Sequence, residues 1–248
     1  IDMKKNWPAI RREVLLEWSN SSDNSPFTKQ DLDAVKALIK EPITQLCLNN
    51  YYYMDIYKQM EFKRFPPLIG VDVSGGYNKD ASAITIVDSK TTEVVACLNC
   101  NYISITDLAK VIYELVIAYM PNAIVNIERN GGFGASVLSQ LIKTKIKRNL
   151  YYEIKDRVFE ERFQGTTVQK MTKKVKVYGY DETKSSRELL MGILRDRMDN
   201  HKGKFISPII YNELCTLEVK KNGRIEHSAT AHDDQIFSML LALYIWYE

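Results

Sequence analysis

The sequence predicts an α/β fold: a mixed sheet, in which a three-strand antiparallel meander meets parallel strands, flanked by helices and carrying an added basic β-hairpin. Three observations support this. Short apolar runs at 68–73, 81–88 and 93–99 are separated only by the turns "SGGYNKD" and "SKTT", a spacing that joins antiparallel neighbours. A further apolar run, "AIVNIE" at 123–128, is reached through an amphipathic helical stretch, so it returns parallel to the first. From Lys143 to Arg187, 13 Lys or Arg residues stand against 6 Asp or Glu, in alternating strands rich in aromatics.

With 248 residues, the chain has room for one generous domain or a domain with an appendage. Its 45% hydrophobic and 26% charged content is that of a globular protein, and its net charge is only +3. No apolar run reaches the roughly 18 residues of a membrane span; the longest, Ile236 to Tyr247, includes Ser238. The N-terminus, "IDMKKNWPAI", has no apolar core behind its charges and reads as no signal peptide. It also begins without Met, as a piece of a longer polypeptide does. Of the four cysteines, only Cys97 and Cys100 have CxxC spacing. With no second pair or His pair at zinc spacing they read as sheet residues, in a reducing, cytoplasmic setting.

Residues 1–65 are expected to form a helical connector, or the tail of a preceding domain. "WPAIRREVLLEWS" suits a short helix, "SNSSDNSPF" a polar loop, and "TKQDLDAVKALIKEP" a helix capped by Thr28 and followed by Pro42. "CLNNYYYMDIYKQMEFKRFPP" then runs to a double proline, which marks the boundary of a domain over 66–248. There "LIGVDV" is the first central strand, with "ASAITIVD" and "EVVACLN" completing the meander. "SITDLAKVIYELVIAYMP" has apolar residues at 108, 111, 112, 115, 116 and 119, which predicts a helix from an N-cap Ser104 to Pro121. After "AIVNIE" come a glycine turn and the helix "GFGASVLSQLIK". "NLYYEIKDRVF" and "TKKVKVYGY" form the hairpin. A helix over about 183–200, a short segment with Pro208 and Glu213, and a second hairpin turning at "KNGR" follow. They lead to "TAHDDQIFSMLLALYIW", a helix almost wholly apolar behind a doubled Asp.

Three carboxylate positions interrupt these apolar elements. Strand alternation puts Gly70, Asp72 and Ser74 on one face, and Ile69, Val71 and Val73 on the other. A charge inside such a strand is costly unless paired or bound to a metal, and the small neighbours of Asp72 leave room for a ligand. Glu128 closes "AIVNIE" before "RNGGFG", whose glycines let backbone approach a phosphate closely. Parallel adjacency of the two strands brings Asp72 and Glu128 to one sheet edge. On its helix, Asp234 shares a stripe with Ser238, Leu241, Ala242 and Ile245, and the small residues of that stripe allow close packing on the sheet. Asp233 points about 100° away, with Ile236, Phe237 and Leu240. Such a pair is also an ordinary helix cap or dipole partner. Hard oxygen ligands without convergent His or Cys favour Mg²⁺ or Mn²⁺, and two such ions would serve a phosphodiester substrate. The basic hairpin fits a phosphate backbone, although a solvated charged hairpin has the same composition.

Four segments in this order, "IGVDVSGGYNKDASAITIVD", "AIVNIERNGGFGASVLSQLI", "VYGYDETKSSRELLMGIL" and "ATAHDDQIFSMLLALYIW", resemble the C-terminal nuclease part of the large terminase subunit of tailed phages. The likeness covers roughly residues 66 to 247, and "REVLLEWSNSSDNSPFTKQDL" resembles the segment that follows the ATPase part. The resemblance implies an RNase H-like fold and a metal-dependent endonuclease that cuts concatemeric double-stranded DNA during genome packaging. It implies the host cytoplasm as location, and the portal protein and small terminase subunit as partners. It carries the acidic positions onto Asp72, Glu128 and the pair Asp233–Asp234. Asp234, on the less crowded face, is the expected direct metal ligand, and Asp233 an auxiliary ligand or cap. No GxxxxGK[ST] occurs, so the ATPase motor is expected to be missing from this chain.

His232 stands next to the doubled Asp, either near the metals or facing outward. The expected DNA contacts are Lys143, Lys145, Lys147, Arg148, Lys173, Lys174 and Lys176 as a group. Arg129 is expected to hold either a phosphate or a carboxylate. Tyr151 and Tyr152 either stack or pack, His201 and His227 read as surface residues, and Asp80 sets the turn into the second strand. Rival readings are a resolvase or transposase with the same metal chemistry, and a non-catalytic DNA-binding packaging adaptor whose acids are structural. An actin-like ATPase would need two copies of the unit, and the stretch after Pro67 supplies one.

Overall fold

A computed structural model describes residues 24–59, 65–75, 80–130, 132–162, 168–199, 203–229 and 231–248, the side chains of 160–162 and 168–169 excepted. The expected helix before residue 24, the loop at 76–79, Gly131 and His201 lie outside the described residues.

Six strands form one sheet: β1 (Thr44–Leu48), β2 (Tyr52–Ile56), β3 (Pro67–Asp72), β4 (Ser82–Asp88), β5 (Val94–Cys100) and β6 (Ile124–Ile127). Their order is β1-β2-β5-β4-β3-β6. The expected meander is present, with β3 antiparallel to β4 and β4 antiparallel to β5. β6 runs parallel to β3, with Leu68 opposite Ile124 and Val71 opposite Ile127. β3, β4 and β5 are buried at almost every position, because helices cover both faces of their apolar runs.

Alternation along β3 divides the core in two. Ile69 and Val71 join the side chains of α2 (Ile105–Glu114, continued by a π turn over Leu115–Tyr119) and α3 (Phe133–Leu141). Leu68 faces the other core, which holds α1 (Lys29–Lys36), α4 (Lys184–Asp199), α5 (Pro208–Thr216) and α6 (Asp234–Tyr247). The caps follow the sequence. The Thr28 side chain accepts from the Asp31 N–H in a reciprocal capping box, and Ser104 Oγ accepts from the Asp107 N–H at 3.1 Å. A two-stranded hairpin, β7 (Tyr152–Arg162) and β8 (Val168–Tyr178), stands apart from the sheet, and β9 (Leu217–Val219) pairs with β10 (Ile225–His227). Among the described residues, no helix is long and apolar enough to cross a membrane.

The sequence placed residues 44–56 in a helical connector; they are strands instead. Asn49 and Asn50 have φ of 48° and 62°, the left-handed backbone of a tight hairpin turn, which Asn tolerates. Leu48, Met54 and Ile56 are buried, and β2 pairs with β5 through Asp55 opposite Cys97. Strands on both sides of the double proline therefore belong to one sheet.

α6 lies directly on β3. A Cβ on Gly70 would sit 1.8 Å from the Ser238 carbonyl oxygen and 2.6 Å from the Ala242 nitrogen, so the helix backbone occupies the space a side chain would take. The small residues of the Asp234 stripe do the packing expected of them. The room expected beside Asp72 at position 70 is not open to a ligand, because α6 fills it.

Candidate active site

Parallel pairing of Val71 with Ile127 puts the next residues, Asp72 and Glu128, at the same end of adjacent strands. The Glu128 N–H donates to Val71 O at 3.0 Å and so continues the ladder. A glycine is required where α3 turns back: a Cβ on Gly134 would meet Glu128 O at 1.7 Å. That glycine therefore serves the packing of α3 on Glu128's own backbone rather than the approach of a phosphate.

The carboxyls of Asp72 and Glu128 meet in a side-chain hydrogen bond. Burial, then Glu128, then Asp234 and Asp233 push the Asp72 carboxyl well above the ordinary carboxylate range. Burial also raises Glu128, while the hydrogen bond from Asp72 opposes that rise.

The doubled Asp arrives on the first turn of α6. Asp233 occupies the N-cap position, but its side chain makes no cap hydrogen bond. Glu213, from α5, caps the helix instead. Its Oε1 accepts the Gln235 N–H at 3.2 Å, and its Oε2 accepts the Ile236 N–H at 2.8 Å. Burial pushes Glu213 up to about 8, against the pull of those two N–H groups. The Asp oxygens are thereby released from capping. Asp233 Oδ2 takes Arg187 Nη2 at 2.8 Å, while Arg187 Nη1 holds Glu182 Oε1 at 2.9 Å. The same guanidinium lies 4.0 Å over the Phe237 ring. Asp234 Oδ2 accepts the Ala81 N–H at 3.1 Å, from the start of β4. Burial raises the Asp234 carboxyl, opposed by Ala81 and His232 and reinforced by Asp233 and Asp80.

Buried polar contacts fasten α6 in register. Gln235 Nε2 donates to Thr85 Oγ1 at 2.6 Å and to Ile84 O at 3.1 Å, Thr85 and Ser238 share a hydroxyl bond of 2.6 Å, and Asn126 Nδ2 donates to Leu241 O at 3.1 Å. A helix apolar all round could slide along a sheet; these bonds specify one position for it.

His232 stands beside the cluster, its Nδ1 3.4 Å from Asp80 Oδ1 and 3.9 Å from Asp234 Oδ2. Asp80 thus faces an imidazole as well as leading into β4. Arg129 is a carboxylate partner: its Nε and Nη2 bond Asp181, which also takes Lys155 Nζ at 2.9 Å. The lysines lie elsewhere. Lys143, Lys145, Lys147 and Arg148 are exposed at the end of α3 and on the 3-10 turn Lys145–Asn149, and Lys173, Lys174 and Lys176 are exposed on β8. Lys176 Nζ sits 4.0 Å above the Tyr152 ring. Tyr151 packs edge-on against Tyr244 at 5.9 Å, and Tyr152 against Tyr178 at 5.8 Å. At the root of the hairpin, Tyr180 bridges to Glu128.

Sequence reasoning assigned no role to Glu213 or Arg187. Glu213 carried a signal, a carboxylate inside the apolar "PIIYNELCTL", of the kind that singled out Asp72. Arg187 was hidden among many charges.

Among the described residues, no three His, Cys, Asp or Glu side chains are gathered as a ready metal cage. Asp72 and Glu128 face one another, Asp234 is held by Ala81 and Asp233 by Arg187. The donor set nevertheless fits a hard divalent cation: carboxyl oxygens with raised proton affinity, crowded together, are groups whose protons a cation displaces.

No family model matches the chain, and no curated protein matches its sequence. Solved structures do match. The large terminase nuclease from thermophilic phage G20c with bound magnesium superposes with a TM-score of 0.59 at 16% identity, covering 90% of this chain and 98% of that one. The cobalt-bound form of the same nuclease gives 0.59 at 15% identity, with the same coverage. The large terminase nuclease domain of Thermus phage P74-26 gives 0.55 at 17% identity, covering 86% and 93%. The fold is the RNase H-like mixed sheet of these nuclease domains.

Proposed function

We propose that the chain is a divalent-metal-dependent endonuclease that cuts double-stranded DNA during phage genome packaging. One observation carries the reading. Asp72 and Glu128 stand side by side at the ends of two parallel strands, and a third element, α6, brings Asp233 and Asp234 close enough to act on Asp72. The fold adds support, since magnesium- and cobalt-bound structures of a large terminase nuclease share it.

In this reading Asp72, Glu128 and Asp234 are the oxygen ligands, and Asp233, oriented by Arg187, is an auxiliary one. Four carboxyls supply donors enough for two ions, with Mg²⁺ or Mn²⁺ as the fitting choice. Bound cations supply charge stabilisation at the phosphodiester and activate the attacking water. His232, at the exposed rim, can hold or pass a proton at Nδ1 close to Asp234. The hairpin lysines and the basic turn before β7 offer a face for the phosphate backbone. An ATPase domain of the same polypeptide, the portal protein and the small terminase subunit are the proposed partners, in the host cytoplasm.

The test is cleavage of supercoiled plasmid in Mg²⁺ or Mn²⁺. Wild type is expected to nick and linearise it, and Asp72→Asn and Glu128→Gln to lose cutting by about 10²-fold or more. Equal cutting by the variants, or none by wild type, overturns the reading.

A further inference from the structure

A cavity of about 550 Å³ opens between α4 and the β9–β10 turn. Lys184, Arg187, Glu188, Met191 and Arg195 share one face of α4 at spacings of three and four residues and line it, and Arg224 faces them from the turn. Met191 and Ile225 make an apolar floor. Gly192 leaves that floor flat: a Cβ there would meet nothing within 4 Å.

The wall carries surplus positive charge. Of its two acids, Glu182 is already held by Arg187 at 2.9 Å. Arg224 reaches Glu226 only at 4.0 Å, and among the described residues neither Lys184 nor Arg195 forms an ion pair. The volume lies within the roughly 300–1,000 Å³ of small-molecule sites, enough for one nucleotide unit. Arg187 fixes the cavity beside the carboxyl cluster, since the side chain that lines it also holds Asp233 at 2.8 Å.

We propose that this cavity seats one nucleotide of the DNA strand next to the phosphodiester being cut. Its phosphate lies against Lys184, Arg195 and Arg224, and its sugar and base lie over Met191, Gly192 and Ile225. Arg187 spans the two sites: a guanidinium has five N–H donors and can keep Asp233 while it contacts a strand phosphate. The inference rests on the nuclease reading, and it locates strand positioning on α4 and the β9–β10 turn. The hairpin lysines are a different kind of surface, spread along an exposed ribbon and able to add affinity without fixing register.

The test uses Arg195→Glu/Arg224→Glu, which leaves the carboxyl cluster and Arg187 untouched, and Gly192→Leu, which fills the floor without changing charge. Binding of a fluorescein-labelled 20-base-pair duplex is followed by anisotropy in EDTA, over a series of salt concentrations. The double variant is expected to bind about tenfold more weakly, with a salt slope reduced by about 2, the loss of two phosphate contacts. Gly192→Leu is expected to weaken binding by about threefold or more, with the salt slope unchanged. Mn²⁺ binding of the protein alone should match wild type in both, and neither variant should melt below wild type, Gly192→Leu gaining from the loss of a helical glycine. Wild-type duplex affinity in a folded Gly192→Leu protein overturns the inference, even where the double variant fails to fold. If wild type binds through the cavity but never nicks plasmid, the nuclease reading falls and the strand site stands. If wild type nicks plasmid and both variants bind as wild type does, the strand site falls and the nuclease reading stands. A wild type that binds no duplex overturns both.

Discussion

Glu213 Oε2 accepts the backbone N–H of Ile236 at 2.8 Å, so the first turn of α6 is capped by a residue of α5. A helix leaves its first N–H groups without partners, and an Asp at its N-cap is the usual remedy. Here the remedy comes from outside, and Asp233 and Asp234 turn toward Arg187, Ala81 and Asp72.

Removing that cap should therefore have two effects. Glu213→Ala is expected to cost about 2–3 kcal/mol of stability, by leaving two buried N–H groups without an acceptor. It should also weaken Mn²⁺ binding, because Asp233 is then drawn into the vacant capping role. Glu213→Gln, which retains one acceptor oxygen, should fall between. Denaturant melts give the first effect and calorimetric Mn²⁺ titration the second. A stability loss with unaltered Mn²⁺ affinity would show that the cap is structural only.

Stability without metal should fall as pH rises. Glu213 moves from 4.5 to about 8 on folding, and Asp72, Glu128 and Asp234 move upward as well, burial being the largest cause for each. Between an acid's unfolded and raised folded values the folded state binds more protons, so stability is fully present below the lower value and is lost on the way to the upper one. For Glu213 that window runs from about 4.5 to about 8. Melting temperature in EDTA should decline across it. Added Mg²⁺ should raise melting more at the alkaline end, where protons no longer compete for the carboxyls. A flat profile in EDTA would contradict these shifts.

Gly70→Ala should be far more damaging than its one methyl group suggests. The added Cβ would stand 1.8 Å from Ser238 O, part of a helix backbone that cannot rotate away. A loss of about 3 kcal/mol or more is expected, along with displaced Asp234 and lost cleavage. Gly192→Ala is the control: its Cβ meets nothing within 4 Å, and the helix should gain about 0.5–1 kcal/mol. Chemical denaturation of the pair, side by side, checks both signs.

Charge reversal at Lys173 and Lys174 is expected to weaken duplex binding strongly at low salt and little at high salt, since exposed lysines act through counterion release. Fluorescence titration across a salt series measures this. Unchanged binding at low salt would remove the hairpin from the DNA face.

The meander, the parallel return of β6 and the helix of the doubled Asp were legible in the chain because each rests on local periodicity. The three carboxylate positions were legible for a related reason: a charge inside an apolar run stands out wherever the run packs. The β1–β2 hairpin was half visible, in the alternation of "CLNNYYYMDI" around two asparagines. Its place in the sheet depends on pairing Asp55 with Cys97, which no local pattern announces.

The roles of the acids needed the folded chain. Asp233 and Asp234 look alike in sequence, and either could cap a helix. Glu213, 23 residues before Ile236, takes the capping role, and Arg187, 46 residues before Asp233, claims one of the pair. A residue type and its spacing state which chemistry is available. Which carboxyl faces another, which meets an arginine and which caps a helix depends on distances between segments far apart in the chain, and only tertiary packing sets those distances.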